Sequence, residues 1–106
     1  MRNVEVAADH YIDAIKASEE YLDYIREKDR VKQFPELKQQ IDEFRRRNYE
    51  IQCSETAAFE TIEQFEKEYA DFLKNPLVEN FLAAELAFCR LMQELELKVV
   101  GSLDFE

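Results

Sequence analysis

Glycine, proline and tryptophan are almost missing from this chain of 106 residues, which has one Gly, two Pro and no Trp. Barrels, sandwiches and doubly wound sheets need many turns, and turns depend on Gly and Pro. The chain is instead rich in Glu, Leu, Ala and Lys, which are strong helix formers, and in Phe. The sequence therefore predicts an all-α fold and a single domain over residues 1–106.

Positive charge is also scarce, with 14 Lys and Arg against 24 Asp and Glu and a formal net charge of −10. Such an average surface repels a phosphate backbone, so no direct nucleic-acid binding is expected. No apolar run approaches the roughly 20 residues that cross a bilayer, and the N-terminal MRNVEVAADH contains no signal-peptide core. We expect a cytoplasmic protein without membrane contact.

Recognisable chemical motifs are missing too. Cys53 and Cys89 stand far apart, with neither a CxxC spacing nor a neighbouring His, which predicts small apolar residues in or near the core. His10 has two aspartates nearby but no second His, so a surface role is favoured over a metal site. One Gly cannot build a phosphate-binding loop, and no serine lies in a nucleophile motif. We expect no enzyme, no metal and no cofactor.

Apolar stripes and helix-capping signals divide the chain into four to five helices. Ser18, followed by two glutamates, is a typical N-cap. Pro35 suits the first turn of a helix, and Ser54 or Thr56 can cap the next one. The predicted helices cover about residues 4–16, 19–32, 35–52, 55–74 and 76–100.

Each of the middle helices shows one apolar face at helical spacing. The second helix would bury Tyr21, Leu22, Ile25 and Phe34. The third carries a heptad seam in which Asn48 is the polar member, fixing register or facing water. The fourth helix is rich in aromatic residues, and its face consists of Phe59, Ile62, Phe65, Tyr69 and Phe72.

Asn75-Pro76 is the clearest start signal in the sequence, and it opens a long last helix. That helix should end near Gly101, a C-cap residue, leaving 101–106 as a short tail. Two adjoining stripes form an apolar arc of roughly 220° at about 100° per residue, which needs neighbours on at least two sides. The helix is therefore the centre of the fold, a homodimer seam, or both. Its candidate interface is Leu77, Phe81, Ala84, Phe88, Leu91 and Leu95, and the second stripe is Val78, Leu82, Leu86, Cys89 and Met92.

Arg45, Arg46 and Arg47 form the most notable charge feature in this acidic chain. On a helix they spread over about 200°, so they cannot all face one ligand. Arginine suits bidentate pairing with carboxylates, which favours ion pairs with the acids of residues 60–71. Contact with a partner protein or RNA is the alternative.

The run NPLVENFLAAELAFCRLMQEL at 75–95, with ELKQQIDEFRRRNYEIQ at 36–52, resembles the YlbF/YmcA family of bacterial helical regulators, the control of competence regulator family. The resemblance covers roughly residues 8–100. It implies a cytoplasmic helical bundle that forms a homodimer or larger oligomer without known catalysis. Members work with sister proteins in modulating RNA processing, and so affect competence, sporulation and biofilm formation.

Some members of that family bind iron–sulfur clusters through cysteines, several of them in a C-terminal tail. Only SLDFE follows Gly101 here, and the two cysteines are fewer than such a cluster takes. The resemblance therefore implies a non-enzymatic regulatory adaptor without a cluster, whose partners are itself, paralogues or RNA-processing proteins. The alternative is a stand-alone acidic helical protein that masks a basic partner, like an antitoxin or a nucleic-acid mimic.

Overall fold

The structure is a computed structural model that describes residues 2–54, 56 and 58–104. All regular secondary structure in these residues is helical, which confirms the all-α prediction and the long C-terminal helix. The helices are α1 Asn3–Lys16, α2 Glu19–Lys32, α3 Pro35–Cys53, α4 Phe59–Glu68, α5 Ala70–Lys74 and α6 Pro76–Ser102.

The predicted N-caps of α2 and α6 are confirmed. The Ser18 hydroxyl accepts a hydrogen bond from the backbone N–H of Tyr21 at 3.2 Å and donates one to the Ile15 carbonyl at 2.6 Å. The Asn75 side chain accepts from the N–H of Leu77 at 3.0 Å, and Pro76 follows at the first helical position. Both caps satisfy backbone donors that a helix start leaves without partners.

The predicted fourth helix is wrong in its extent, because the structure divides it at Tyr69 into α4 and α5. The Tyr69 ring contacts Phe44, Phe65 and Phe72, with ring centroids 5.1, 4.9 and 5.6 Å away. Phe65 before the break and Phe72 after it both lie against Phe44 of α3, with ring centroids 5.5 and 6.0 Å away. The N-cap of α4 is Ala58, without a side-chain hydrogen bond, so the predicted caps at Ser54 or Thr56 are also wrong.

The helix α6 ends within two residues of the predicted end, but the predicted C-cap at Gly101 is wrong. Gly101 lies inside the helix, and the C-cap is Leu103. The left-handed conformation expected at the end is adopted by Asp104, with φ of 50°, and Asp tolerates this region better than most residues. Nothing lies within 4 Å of a Cβ built on Gly101, so neither backbone nor packing demands glycine there.

The main core lies where α2, α3 and α6 meet. It consists of Val31, Ile41, Val78 and Phe81, each at most 5% exposed, with Phe72 and Leu73 of α5 packed against it. Aromatic contacts extend the α2–α6 interface, because the Tyr24 ring lies 6.0 Å from Phe81 and 5.4 Å from Phe88. A second cluster joins α3 to α4 and α5, where Phe44 contacts Phe65 at 5.5 Å.

Several residues predicted to be buried are exposed. Leu22 is 55% and Phe34 50% exposed, and Phe59 of the α4 stripe is 77% exposed. Cys53 and Cys89 are also exposed, which corrects their predicted place in or near the core. The periodicity identified apolar faces, but the described part of a single chain does not cover all of them.

The protein has an open, elongated shape. Its principal extents are 52 × 38 × 20 Å and its radius of gyration is 17.8 Å, whereas a compact domain of this length has a radius of about 13 Å. Its accessible surface is 8577 Å², against roughly 6,200 Å² for a compact monomer of this mass. The helices therefore leave more surface in contact with solvent than a compact domain of this size does, and large apolar side chains are among the exposed residues.

Candidate interaction surfaces

One face of α6 is covered along its first half and bare along its second. In the first half Val78 and Phe81 are buried and Leu82 is half-buried, packed with residues of α3 and α5. At about 100° per residue, Cys89, Met92, Val99 and Val100 continue the same arc. All four are exposed, with Met92 at 39%, Val99 at 48% and Val100 at 43%. We call these four residues the uncovered face of α6; the exposed Glu96 is an acid within the same arc.

The interface residues predicted from the sequence lie mainly on the side of α6 that meets α2. Phe88 packs between Tyr21 and Tyr24, with centroids 5.4 Å from both rings. Phe81 is 5% exposed, and the remaining members, Leu77, Ala84, Leu91 and Leu95, are half-buried. This stripe therefore holds the protomer together, and its members keep only part of their surface for another molecule.

The C-terminal end of α6 lies near α1. An apolar cavity of about 420 Å³ between them is lined by Tyr11, Leu95, Val99 and Leu103, among others. α1 has no buried residue, and Val4 is 67% and Ile12 46% exposed. This region extends the apolar surface of the uncovered face to a second helix.

Arg45 joins α3 to α6. Its guanidinium donates to the Glu85 carboxylate and, at 2.8 Å, to Asp42, and it lies 5.7 Å from the centre of the Phe81 ring. Burial opposes the charged guanidinium, but the hydrogen bonds to Asp42 and Glu85 outweigh it and raise the pKa of Arg45. Burial likewise works to raise the pKa of Asp42, yet hydrogen bonds from Arg45 and Lys38 lower it overall. Arg45 acts as an ion-pair link within the protomer.

Arg47 joins α3 to α4 across the aromatic cluster. Its two terminal nitrogens donate to the Glu68 carboxylate at 2.9 and 3.1 Å, and one also donates to the Tyr69 hydroxyl at 3.1 Å. The guanidinium lies 5.4 Å from the centre of the Phe65 ring. Hydrogen bonding from Arg47 to Glu68 lowers the pKa of the Glu68 carboxyl and raises the pKa of the Arg47 guanidinium. Glu68 belongs to the acidic segment 60–71 that the sequence indicated.

Arg46 differs from its two neighbours. It donates to Glu50 at 2.9 Å one turn along α3, and its side chain is 61% exposed. An exposed pair of this kind is weak, so Arg46 can exchange Glu50 for an outside carboxylate at little cost. Of the three arginines, it is the one that the protomer leaves most accessible to a partner.

Glu27 is a buried charged residue that the sequence reasoning missed. It is 6% exposed between α2 and α6, and one carboxylate oxygen accepts from Arg30 at 3.1 Å. The other oxygen has no hydrogen-bond partner among the described residues. The available signal was its spacing, since Tyr24, Glu27 and Val31 fall on one helical face. The Glu27 carboxylate is paired within its own helix, with Arg26 and Arg30 of α2.

The described residues contain no cluster of His, Cys, Asp and Glu arranged to hold a metal ion. His10 is exposed on α1. Over the same residues, no helix has the length and apolar character required to cross a membrane.

The fold and surfaces define an open, all-helical protein with apolar helix faces and interhelical ion pairs. The chain belongs to the YlbF/YmcA family, described as control of competence regulator ComK, whose profile matches residues 4–104. It is also 24% identical over 110 aligned positions to a UPF0342 protein of Caldicellulosiruptor bescii, covering 100% of this chain and 92% of that protein. No solved structure matches the chain significantly. The family is a regulatory one rather than a known enzyme family.

Proposed function

We propose that this protein is a non-enzymatic regulatory adaptor that acts by self-association and by contact with other proteins. The observation that carries the proposal is the uncovered face of α6, a continuation of the core-forming face of the same helix. Membership of a competence-regulator family supports a regulatory role. A helix that is apolar on two sides is stable in water when both sides are covered. One chain covers the second side of α6 only along the first half of that helix.

Surface area supports a second copy as the covering molecule. The accessible surface of 8577 Å² exceeds that of a compact monomer by roughly 2,300 Å². Stable homodimers bury about 2,000 Å² or more in total, so the excess exposed by two protomers is ample for one interface. We place the centre of the interface on the uncovered face, flanked by Leu91 and Leu95 of the predicted stripe.

The finer role proposed follows the family resemblance. The protein would act in the cytoplasm with paralogous family members or RNA-processing proteins, and would influence competence, sporulation or biofilm formation. The exposed charge of Arg46 and the acidic faces of α4 offer polar contacts for such partners. Direct nucleic-acid binding is not part of the proposal because the net charge is −10.

Met92→Asp is the variant that tests the proposed self-association. Phe88 is unsuitable because its ring packs against two tyrosines of α2, so a change there disturbs the protomer. A charge at Met92 enters the uncovered face, whereas Leu97→Asp, five residues further and about 140° around the helix, is a matched control at a residue 73% exposed. Analytical ultracentrifugation should show that only Met92→Asp shifts the protein towards monomer. Equal association of both variants and the unmodified chain would contradict the proposed interface.

Affinity capture from the native cell, followed by mass spectrometry, tests the regulatory role. The expected result is recovery of family paralogues or RNA-processing proteins, with the same set retained in moderate salt. Recovery of a single basic protein that dissociates as salt screens its charge would instead support the alternative, an acidic protein masking a basic partner.

A further inference from the structure

A groove between α2 and α3 has a charge opposite to that of the whole protein. It forms a cavity of about 350 Å³ whose apolar lining is Tyr24, Val31, Ile41 and Phe81. Its charged lining consists of one carboxylate, Asp42, and four cations, Lys28, Lys32, Lys38 and Arg45. The chain as a whole carries a net charge of −10, so this concentration of positive charge is a local exception.

Two of the four cations remain available for a ligand. Asp42 accepts from Lys38 at 3.2 Å and from Arg45 at 2.8 Å, and Arg45 also binds Glu85. Neither Lys28 nor Lys32 forms an ion pair with any described residue. The Lys28 ammonium lies 5.8 Å from the centre of the Tyr24 ring, at the edge of the apolar floor.

The groove is open to solvent, and all but one of its lining residues come from α2 and α3, which are joined through residues 33–34. Successive turns of α2 contribute Tyr24, Lys28 and Val31, while Ile41 of α3 and Phe81 of α6 form the base. A cavity of this size with an apolar base and a few polar groups is typical of a binding site. The apolar base suits an apolar side chain of a ligand. Lys28 and Lys32 line the same groove and suit carboxylates of that ligand.

We propose that this groove binds an acidic segment of a partner protein, with an apolar side chain on the base and carboxylates on Lys28 and Lys32. Nucleic acid is the less suitable polyanion, because many phosphates along its backbone would meet the acidic remainder of the surface. A short acidic segment interacts mainly with the cations nearby, since charges more than about 8 Å away are screened at physiological salt. The inference rests on the proposed role in protein contact but does not require self-association.

The test uses two synthetic peptides that repeat Leu with either Glu or Gln at helical spacing, labelled for fluorescence anisotropy. The Glu peptide should bind, shift the NMR signals of Tyr24, Val31 and Phe81, and weaken with added salt. Lys32→Glu should reduce its affinity about fivefold, and the double change Lys28→Glu with Lys32→Glu about tenfold or more. Lys16→Glu is the matched control, because Lys16 and Lys32 both lie in the last turn of a helix, and its affinity should be unchanged.

Circular dichroism confirms that each variant is folded, and Lys32→Gln provides a second variant with a smaller charge change. Equal binding of the Glu and Gln peptides, or equal affinity of Lys32→Glu and Lys16→Glu, would overturn the proposal. Two other anions serve as competing ligands: octanoate represents a small apolar carboxylate, and a single-stranded oligonucleotide represents nucleic acid. Tighter binding of either one than of the Glu peptide would also overturn the proposal. Ultracentrifugation of Lys32→Glu distinguishes the peptide-binding groove from the proposed self-association. If the variant loses peptide binding but associates as the unmodified chain does, the groove and the self-association surface are separate.

Discussion

At the scale of single residues, Ile41 illustrates how small the protected core is. It is 2% exposed and belongs to the core cluster that α2, α3 and α6 form, whereas Leu22 is 55% exposed on α2. We expect Ile41→Ala to lower the free energy of unfolding by about 3 kcal/mol, because it removes buried apolar surface and leaves a cavity. Leu22→Ala should change it by less than about 0.5 kcal/mol.

Chemical denaturation of both variants at one fixed protein concentration measures this difference, since association alters apparent stability. Similar losses for Ile41→Ala and Leu22→Ala would show that the described core is not the main source of stability.

Arg47 and Glu68 give a pH-dependent prediction at the same scale. The hydrogen bond from Arg47 holds the folded-state pKa of Glu68 below its ordinary value of 4.5. The pair therefore stabilises the fold above that ordinary value, and the contribution is lost as pH falls through the lowered pKa of the folded state. In Arg47→Met the pKa of Glu68 should rise towards 4.5, as followed by NMR of the side-chain carboxyl carbon.

Arg46→Met is the control for that titration, because Arg46 binds Glu50 and not Glu68. An unchanged Glu68 pKa in Arg47→Met, or an equal rise in both variants, would mean that the ion pair between α3 and α4 does not form in solution.

At the scale of helices, the sequence predicted the starts of α2 and α6 correctly, but it missed the start of α4 and the break at Tyr69. Ser18 and Asn75-Pro76 mark starts because each supplies its own side-chain acceptor, and Asn75 is followed by a rigid first residue. Gly101 did not mark an end, because a glycine costs only about 1 kcal/mol inside a helix and Asp104 adopts the terminal conformation instead. The break at Tyr69 was not foreseeable from periodicity, because the apolar stripe from Phe59 to Phe72 continues through it.

The binding surfaces were predictable to a lesser degree. Periodicity indicated the wide apolar arc of α6, but it could not show that Phe88 packs against α2 while Met92 is exposed. It also placed Cys53 and Cys89 in or near the core, where the structure has them exposed. The basic groove escaped notice because its lining comes from three helices, and only the packing of α2 against α3 brings Lys28 near Lys38.

The two cysteines provide a direct readout of the uncovered face. Both thiols are exposed in the protomer, but only Cys89 belongs to that face; Cys53 ends α3. As protein concentration increases, self-association should slow the reaction of Cys89 with a thiol reagent and leave Cys53 unchanged. Mass spectrometry of labelled peptides measures both rates in one sample. Parallel behaviour of the two thiols would contradict an interface centred on α6.

At the scale of the whole molecule, the proposed self-association would account for both the elongated shape and the exposed apolar side chains. A chain of this size has little volume for a core, and this fold uses that volume at the junction of α2, α3 and α6. α1 and the second half of α6 extend beyond it with apolar side chains exposed. A second copy placed on α6 would supply the neighbour that the width of its apolar arc requires.

The most direct test of this account is sedimentation equilibrium of the unmodified protein at micromolar concentration. We predict a mass that is a multiple of the 12.7 kDa of one chain, twice that value for a homodimer, and a decrease towards 12.7 kDa only on strong dilution. A folded protein that sediments at 12.7 kDa throughout the micromolar range would contradict the account, because the uncovered face of α6 would then be stable in water alone.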